Sequence, residues 1–327
     1  MDFGNIRGVD RMARIVTGIY LTGASFLLPG PFFRCCRIHV PALHPHRALT
    51  VPFDLMPACS TKPLSGYPMM RKFHFLLPLL LLMGPAHGAE IPDYEREKRI
   101  AMEIEPQIFD GEVVWLNTPE RTFLSIYTQA DESAGAALIL HGRDTGPEDV
   151  NVAGPMRVGL VEEGWSTLAL QMPVLEKGRK YYDYLPILQF AHARIEAGLA
   201  FLREQGYQTV VLAGHSCGAH MANDWLNHQG DGTIDGYVAM GLGATDYKQD
   251  LKTPFPMGSM TVPVLDIYGS EEYPRPLAML PMRAGMLEKN GHPDSTQLVV
   301  EGADHFFRDK GDALTEMVAG WLNTVRF

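Results

Sequence analysis

The sequence predicts an α/β fold: a mainly parallel eight-stranded sheet with helices on both faces and no large lid. Three observations lead there. Over residues 90–327, short apolar runs alternate with longer amphipathic ones, the signature of strands alternating with helices. Most of the short runs are apolar at every position, as strands covered on both faces must be. Glycine follows the amphipathic segments at Gly164, Gly206 and Gly291, where a helix stop needs the left-handed conformation.

The first two strands are expected at Glu112–Leu116 and Phe123–Gln129. They alternate more than the others and flank Asn117-Thr118-Pro119-Glu120, so they read as an antiparallel hairpin at a sheet edge. Further strands are expected at Ala136–Leu140, Ser166–Gln171, Thr209–Ala213, Gly236–Met240, Val262–Tyr268 and Gln297–Val300. Helices are expected at Pro155–Glu163, Leu185–Gln205, Ala219–His228, Leu277–Asn290 and Asp312–Val325. The second places Ile187, Phe190, Ala191, Ile195, Leu199 and Leu202 on one face. The last places Leu314, Met317, Val318, Trp321, Leu322 and Val325 in one stripe. The charge-rich stretch Glu90–Glu105 is expected to be a surface arm.

Composition narrows the function. Apolar residues make up 46% and charged residues 20%, which excludes a disordered, collagen-like or coiled-coil chain. The net charge of −10 argues against a nucleic-acid partner, which requires a basic surface. No apolar run reaches the ~18 residues of a membrane-spanning helix. Charge is uneven. Residues 1–89 hold nine Lys/Arg against three Asp/Glu, and residues 90–327 hold nineteen against thirty-five. Only Cys217 lies in the second part, so no internal disulfide framework is possible there.

Arg71 and Lys72, the apolar stretch Phe73–Met83 and the small residues up to Ala89 follow the plan of a secretory signal peptide. The expectation is a signal peptide over 70–89, cleavage near Ala89, a periplasmic or secreted location, and a mature domain over 90–327. Residues 1–69 lack sustained periodicity. They read as a mis-assigned, disordered upstream extension, with Met69 or Met70 the true start.

The chemistry concentrates in Val210-Val211-Leu212-Ala213-Gly214-His215-Ser216-Cys217-Gly218-Ala219-His220. Gly-x-Ser-x-Gly alone is a weak signal. Here an apolar strand precedes it and a helix follows. A sharp strand-to-helix turn would expose the Ser216 hydroxyl, with Gly214 and Gly218 lacking the Cβ atoms that would clash as the turn closes. The helix N-terminus would offer free N–H groups to an oxyanion.

With this segment the sequence resembles the α/β-hydrolase family over about 112–327, and is most similar to small exported bacterial members of unknown function. The resemblance implies nucleophile, acid and histidine in that order along the chain. It implies His305 in Glu301-Gly302-Ala303-Asp304-His305 as the base, in a Gly-x-x-His loop after the last strand. For the acid, it points to Glu272, three residues past Gly269, where the family usually has Asp. Glu271, Asp266 and Asp246 remain alternatives. Leu140-His141-Gly142-Arg143 resembles the family's His-Gly loop. By that resemblance the backbone N–H groups of Arg143 and Cys217 form the oxyanion hole.

Other residues carry less. The Arg143 side chain either contacts an anionic substrate or pairs with a neighbour such as Asp144. Cys217, one past the apex, is expected to pack rather than react. Tyr181, Tyr182 and Tyr184 are candidates for the site mouth. His215 and His220 are five apart and share no helix face, so no zinc site is expected, and no cofactor. The expected activity is serine hydrolysis of acyl esters or thioesters, with a small-molecule acyl substrate. The alternative is a non-catalytic envelope binding protein on the same scaffold.

Overall fold

The computed structural model describes residues 90–327, so the expectations for residues 1–69 and for the signal peptide at 70–89 lie outside the described residues. Eight strands form one sheet: β1 (Glu112–Asn117), β2 (Thr122–Thr128), β3 (Gly135–Leu140), β4 (Trp165–Leu170), β5 (Val210–His215), β6 (Gly236–Met240), β7 (Val264–Glu271) and β8 (Thr296–Asp304). Their order across the sheet is β1-β2-β4-β3-β5-β6-β7-β8. β1 pairs antiparallel with β2, and β2 antiparallel with β4. All other pairs are parallel. The edge hairpin and the parallel body are as the apolar pattern predicts.

Each buried strand feeds two cores, because successive side chains point to opposite faces. In β3, Leu138 and Leu140 join one cluster while Ala137 and Ile139 join the other. The first cluster is covered by α4 (Phe190–Glu204) and α5 (Cys217–Gln229), through Ala191, Ile195, Met221 and Trp225. The second is covered by α2 (Ala153–Glu162) and α8 (Gly311–Leu322), through Met156, Leu160, Leu314 and Val318. No helix among the described residues is long and apolar enough to cross a membrane.

The chain runs from β3 to β4 on one side, then crosses to β5 on the other. The carboxyl ends of β3 and β5 therefore flank a topological switch point, where an open α/β sheet leaves a crevice.

Three expectations are corrected. Glu90–Glu105 is not a simple surface arm: Tyr94–Ile104 forms helix α1, N-capped by the Asp93 side chain. Its Glu97 is buried and accepts two hydrogen bonds from Arg194, at 3.0 and 2.9 Å. Charge density hid the partner, because Arg194 lies ninety-seven residues away. The Leu185–Gln205 helix begins as a 3-10 turn at Leu185–Ile187 with Pro186 in it, and the α-helix runs over Phe190–Glu204. The Leu277–Asn290 helix is two pieces, α6 (Pro274–Ala278) and α7 (Leu280–Asn290). Pro281 interrupts the hydrogen-bond ladder at that junction. The remaining short helix, α3, spans Tyr181–Tyr184.

Candidate active site

Ser216 sits between β5 and α5 with φ 50° and ψ −111°. A non-glycine residue held there costs on the order of 1–3 kcal/mol, which the surrounding packing must offset. The turn closes against the end of β3. A Cβ on Gly218 would lie 2.6 Å from the His141 carbonyl oxygen, closer than real Cβ contacts come. A Cβ on Gly142 would lie 3.7 Å from that of Ser216. The loop carrying Arg143 thus leaves β3 directly beside the serine. The Cys217 N–H is at the first position of α5, which leaves it without an intrahelical acceptor.

The Ser216 hydroxyl lies 2.8 Å from Nε2 of His305. Nδ1 of His305 lies 2.8 Å from Oε2 of Glu272. The carboxylate accepts from Nδ1–H, so Nε2 carries a lone pair facing the hydroxyl. The other oxygen of Glu272 accepts from the Tyr273 N–H at 2.7 Å. Glu272 and His305 are both buried, while Ser216 is half-buried. An imidazole held this way can take a proton from the hydroxyl while its new positive charge is offset by the carboxylate.

None of the other three acid candidates hydrogen-bonds to His305. Glu271 is still in β7 and is exposed. Asp266 is fully buried and accepts from Nε of Arg283 at 2.7 Å and from Gln297 at 2.7 Å. Asp246 pairs with Arg143 and accepts from the Tyr181 N–H at 2.6 Å. Burial opposes its charge, but these donors hold the Asp246 carboxyl below its ordinary range. Arg143 pairs with Asp246 rather than Asp144, whose carboxylate takes Arg96 at 2.9 Å. The Cys217 thiol is buried, and burial pushes its pKa up to about 12, so it stays protonated at neutral pH.

Several residues around the site have roles that the sequence did not show. His215 is buried and donates from Nε2 to the His305 carbonyl oxygen at 3.0 Å. Burial depresses its pKa to about 3, keeping it a neutral donor. Gly241, at the end of β6 with φ 58°, lies directly behind the acid–imidazole contact. A Cβ there would be 3.3 Å from Oε2 of Glu272 and from Nδ1 of His305. His141 is buried and donates from Nδ1 to the Gly142 carbonyl at 2.8 Å, while its Nε2 accepts from the Met172 N–H at 2.9 Å. It braces the loop after β3. Tyr181 and Tyr184 are core residues, and Tyr182 alone of the three is exposed. The exposed aromatics beside His305 are instead Tyr273 and Phe306, with ring centroids 4.9 and 5.1 Å from the imidazole. A cavity of about 660 Å³ between α1 and the 144–150 loop includes none of Ser216, His305 and Glu272 in its lining. Away from the site, His192, Asp224 and His228 bring three potential metal-ligating atoms within 4.8 Å of one another.

The profile of a family described as a protein of unknown function (DUF3530) matches residues 82–182 and 184–324. No curated protein matches the sequence. Among solved structures, a serine hydrolase without lid from Xanthomonas campestris aligns at 15% identity. It covers 66% of this chain and 95% of its own, with a TM-score of 0.50. A dienelactone hydrolase from Anabaena variabilis aligns at 17% identity over 66% and 99% of the two chains, also at 0.50. A protein of unknown function from Agrobacterium tumefaciens aligns at 19% identity over 65% and 95%, again at 0.50. At these identities the likeness shows the α/β-hydrolase fold.

Proposed function

From the premise that the chain belongs to the DUF3530 family and has the α/β-hydrolase fold, we propose that it is a serine hydrolase of carboxylic esters or thioesters. The observation that carries this reading is the hydrogen-bonded line Ser216–His305–Glu272, with Ser216 on a strained turn at the switch point of the sheet.

In the proposed reaction, Ser216 Oγ attacks the acyl carbonyl carbon as its proton passes to His305 Nε2. Glu272 keeps the imidazole in the Nδ1–H tautomer and offsets the imidazolium charge. The backbone N–H groups of Arg143 and Cys217 donate to the developing oxyanion. One such donor is typically worth about 2.7–4 kcal/mol of barrier. His305 then gives the proton to the departing alcohol or thiol. Water repeats the sequence on the acyl enzyme, releasing the acid. Tyr273 and Phe306 supply an apolar rim beside His305, which favours an apolar group next to the scissile bond. The Arg143 guanidinium is already satisfied by Asp246, which disfavours selection for an anionic substrate.

A fluorophosphonate probe tests the proposal. The expected result is a covalent adduct on Ser216, absent in Ser216→Ala. A folded protein that takes up no probe would instead favour a non-catalytic binding protein on this scaffold. A chain-length series of esters would then define the acyl preference.

The basic, apolar and small-residue pattern over 71–89 supports export, so we place the activity in the periplasm or outside the cell. Mass spectrometry of the native protein should find an N-terminus near Ala89.

A further inference from the structure

We propose that His192, Asp224 and His228 form a surface site for a zinc ion, separate from the hydrolase site. Asp224 and His228 are four residues apart on α5, so one helix face carries both. His192 reaches them from α4. Its Nε2 lies 2.8 Å from Oδ2 of Asp224, and its ring centroid is 5.1 Å from that of His228. A tetrahedral zinc with bonds of about 2.0–2.2 Å needs its ligand atoms a little over 3 Å apart. The His192–Asp224 pair opens slightly to meet that, and a ring nitrogen of His228 lies within 4.8 Å of both, so a turn of its ring brings Nε2 to the ion. His228 is exposed, so its ring can move without disturbing the core.

Nδ1 of His228 lies 2.6 Å from the Asp224 backbone carbonyl oxygen. A carbonyl only accepts, so Nδ1 carries the proton and Nε2 of the neutral ring keeps a free lone pair. A backbone carbonyl fixing the tautomer of a ligating imidazole is the usual outer support of a metal site. On zinc binding, His192 ligates through Nε2 as a neutral ring with its proton on Nδ1. The zinc displaces the His192–Asp224 hydrogen bond.

Two imidazoles and one carboxylate suit zinc, with water in the remaining position. The site lies near the C-terminal end of the helix that begins after Ser216. His228 is twelve positions past Ser216, a separation of about 18 Å along a helix. The ion would tie α4 to α5 without entering the acyl-transfer chemistry.

The test is calorimetric titration of the untagged full chain with zinc chloride in chelator-free buffer. The expected result is one saturable site in the micromolar range. His192→Ala and His228→Ala should each weaken it at least about tenfold, while Ser216→Ala binds as the unaltered chain does. Zinc should also raise the melting temperature of the unaltered chain and not that of His228→Ala. That variant removes only an exposed ring, so it is expected to fold. Absence of saturable uptake below about 1 mM overturns the proposal. So does an affinity that neither histidine variant changes, or one that Ser216→Ala abolishes.

Discussion

Glu272 and His305 are thirty-three residues apart in sequence, and the Glu272 carboxylate accepts the His305 Nδ1–H at 2.8 Å. The contact follows from the register of two neighbouring parallel strands. Glu271 of β7 pairs with Asp304 of β8, so the next residue of each strand leaves the sheet at the same level. Glu271 remains exposed, and Glu272 turns inward beneath the imidazole.

Glu272→Gln should therefore lower turnover by orders of magnitude, ~10⁴ where a triad carboxylate is replaced by an amide. Glu271→Gln should keep near-full activity. Steady-state kinetics with an activated ester checks both, and melting curves should show the fold unchanged. Equal activity in the two variants would remove Glu272 from the proposed mechanism.

Ser216→Ala should abolish acyl-enzyme formation in a folded protein, because it removes only a hydroxyl. Cys217→Ala should retain most activity, since its backbone donor survives and its thiol is held protonated by burial. Burst kinetics and intact-mass measurement of the acyl adduct distinguish the two. The reverse pattern would make the thiol the nucleophile.

Gly241→Ala should impair both stability and turnover. The position has φ 58°, which costs an L-residue roughly 1–2 kcal/mol. The added methyl would also meet the Glu272 carboxylate and the His305 ring at 3.3 Å. Denaturant titration should show a loss of about that size, and kcat should fall more than KM rises. Unaltered kcat in the folded variant would mean that the pair tolerates displacement.

Asp266→Asn tests a buried charge pair that is independent of the chemistry. Asp266 and Arg283 are both fully buried. Removing one charge leaves the other uncompensated, a loss of about 3–5 kcal/mol. Chemical denaturation should show it, while the folded fraction keeps its specific activity. Loss of activity without loss of stability would contradict this assignment.

Acidification should destabilise the protein through its buried histidines. Burial lowers the pKa of His141 and His220 to about 4 and that of His215 to about 3. The ordinary value is near 6.5. Between those values the unfolded chain binds protons that the folded one does not, so stability rises with pH across the window. The contribution is fully present above about pH 6.5 and is lost progressively as the pH falls toward 4 and then 3. Melting temperature against pH should fall over this range. In His220→Gln the dependence should be shallower by up to about one proton.

Much of the fold was legible because its signals are local. Apolar runs such as Val210–Ala213 have few alternatives to a buried strand, and glycine after a helix stops it for reasons of backbone sterics. The Ser216 turn could be read for the same reason: Gly214 and Gly218 are required by contacts within a few residues of the serine or against one neighbouring strand. His305 was legible through its resemblance to a loop motif following the last strand.

Other features depend on partners distant in sequence. Four carboxylates were open as the acid, and the β7–β8 register brings Glu272 to the imidazole. Glu97 looked like one charge among many until the packing of α1 placed it on Arg194. Gly241 and His215 support the Glu272–His305 arrangement through contacts that span thirty-one or more residues. His192 meets Asp224 and His228 only because α4 packs on α5. The sequence by itself determined the layered sheet, the serine turn and the histidine loop, since backbone sterics and apolar periodicity act over a few residues. Only the tertiary structure decided which carboxylate, which buried ion pair and which imidazoles come together, because hydrogen-bond reach is about 3 Å and strand register and helix packing alone set that distance.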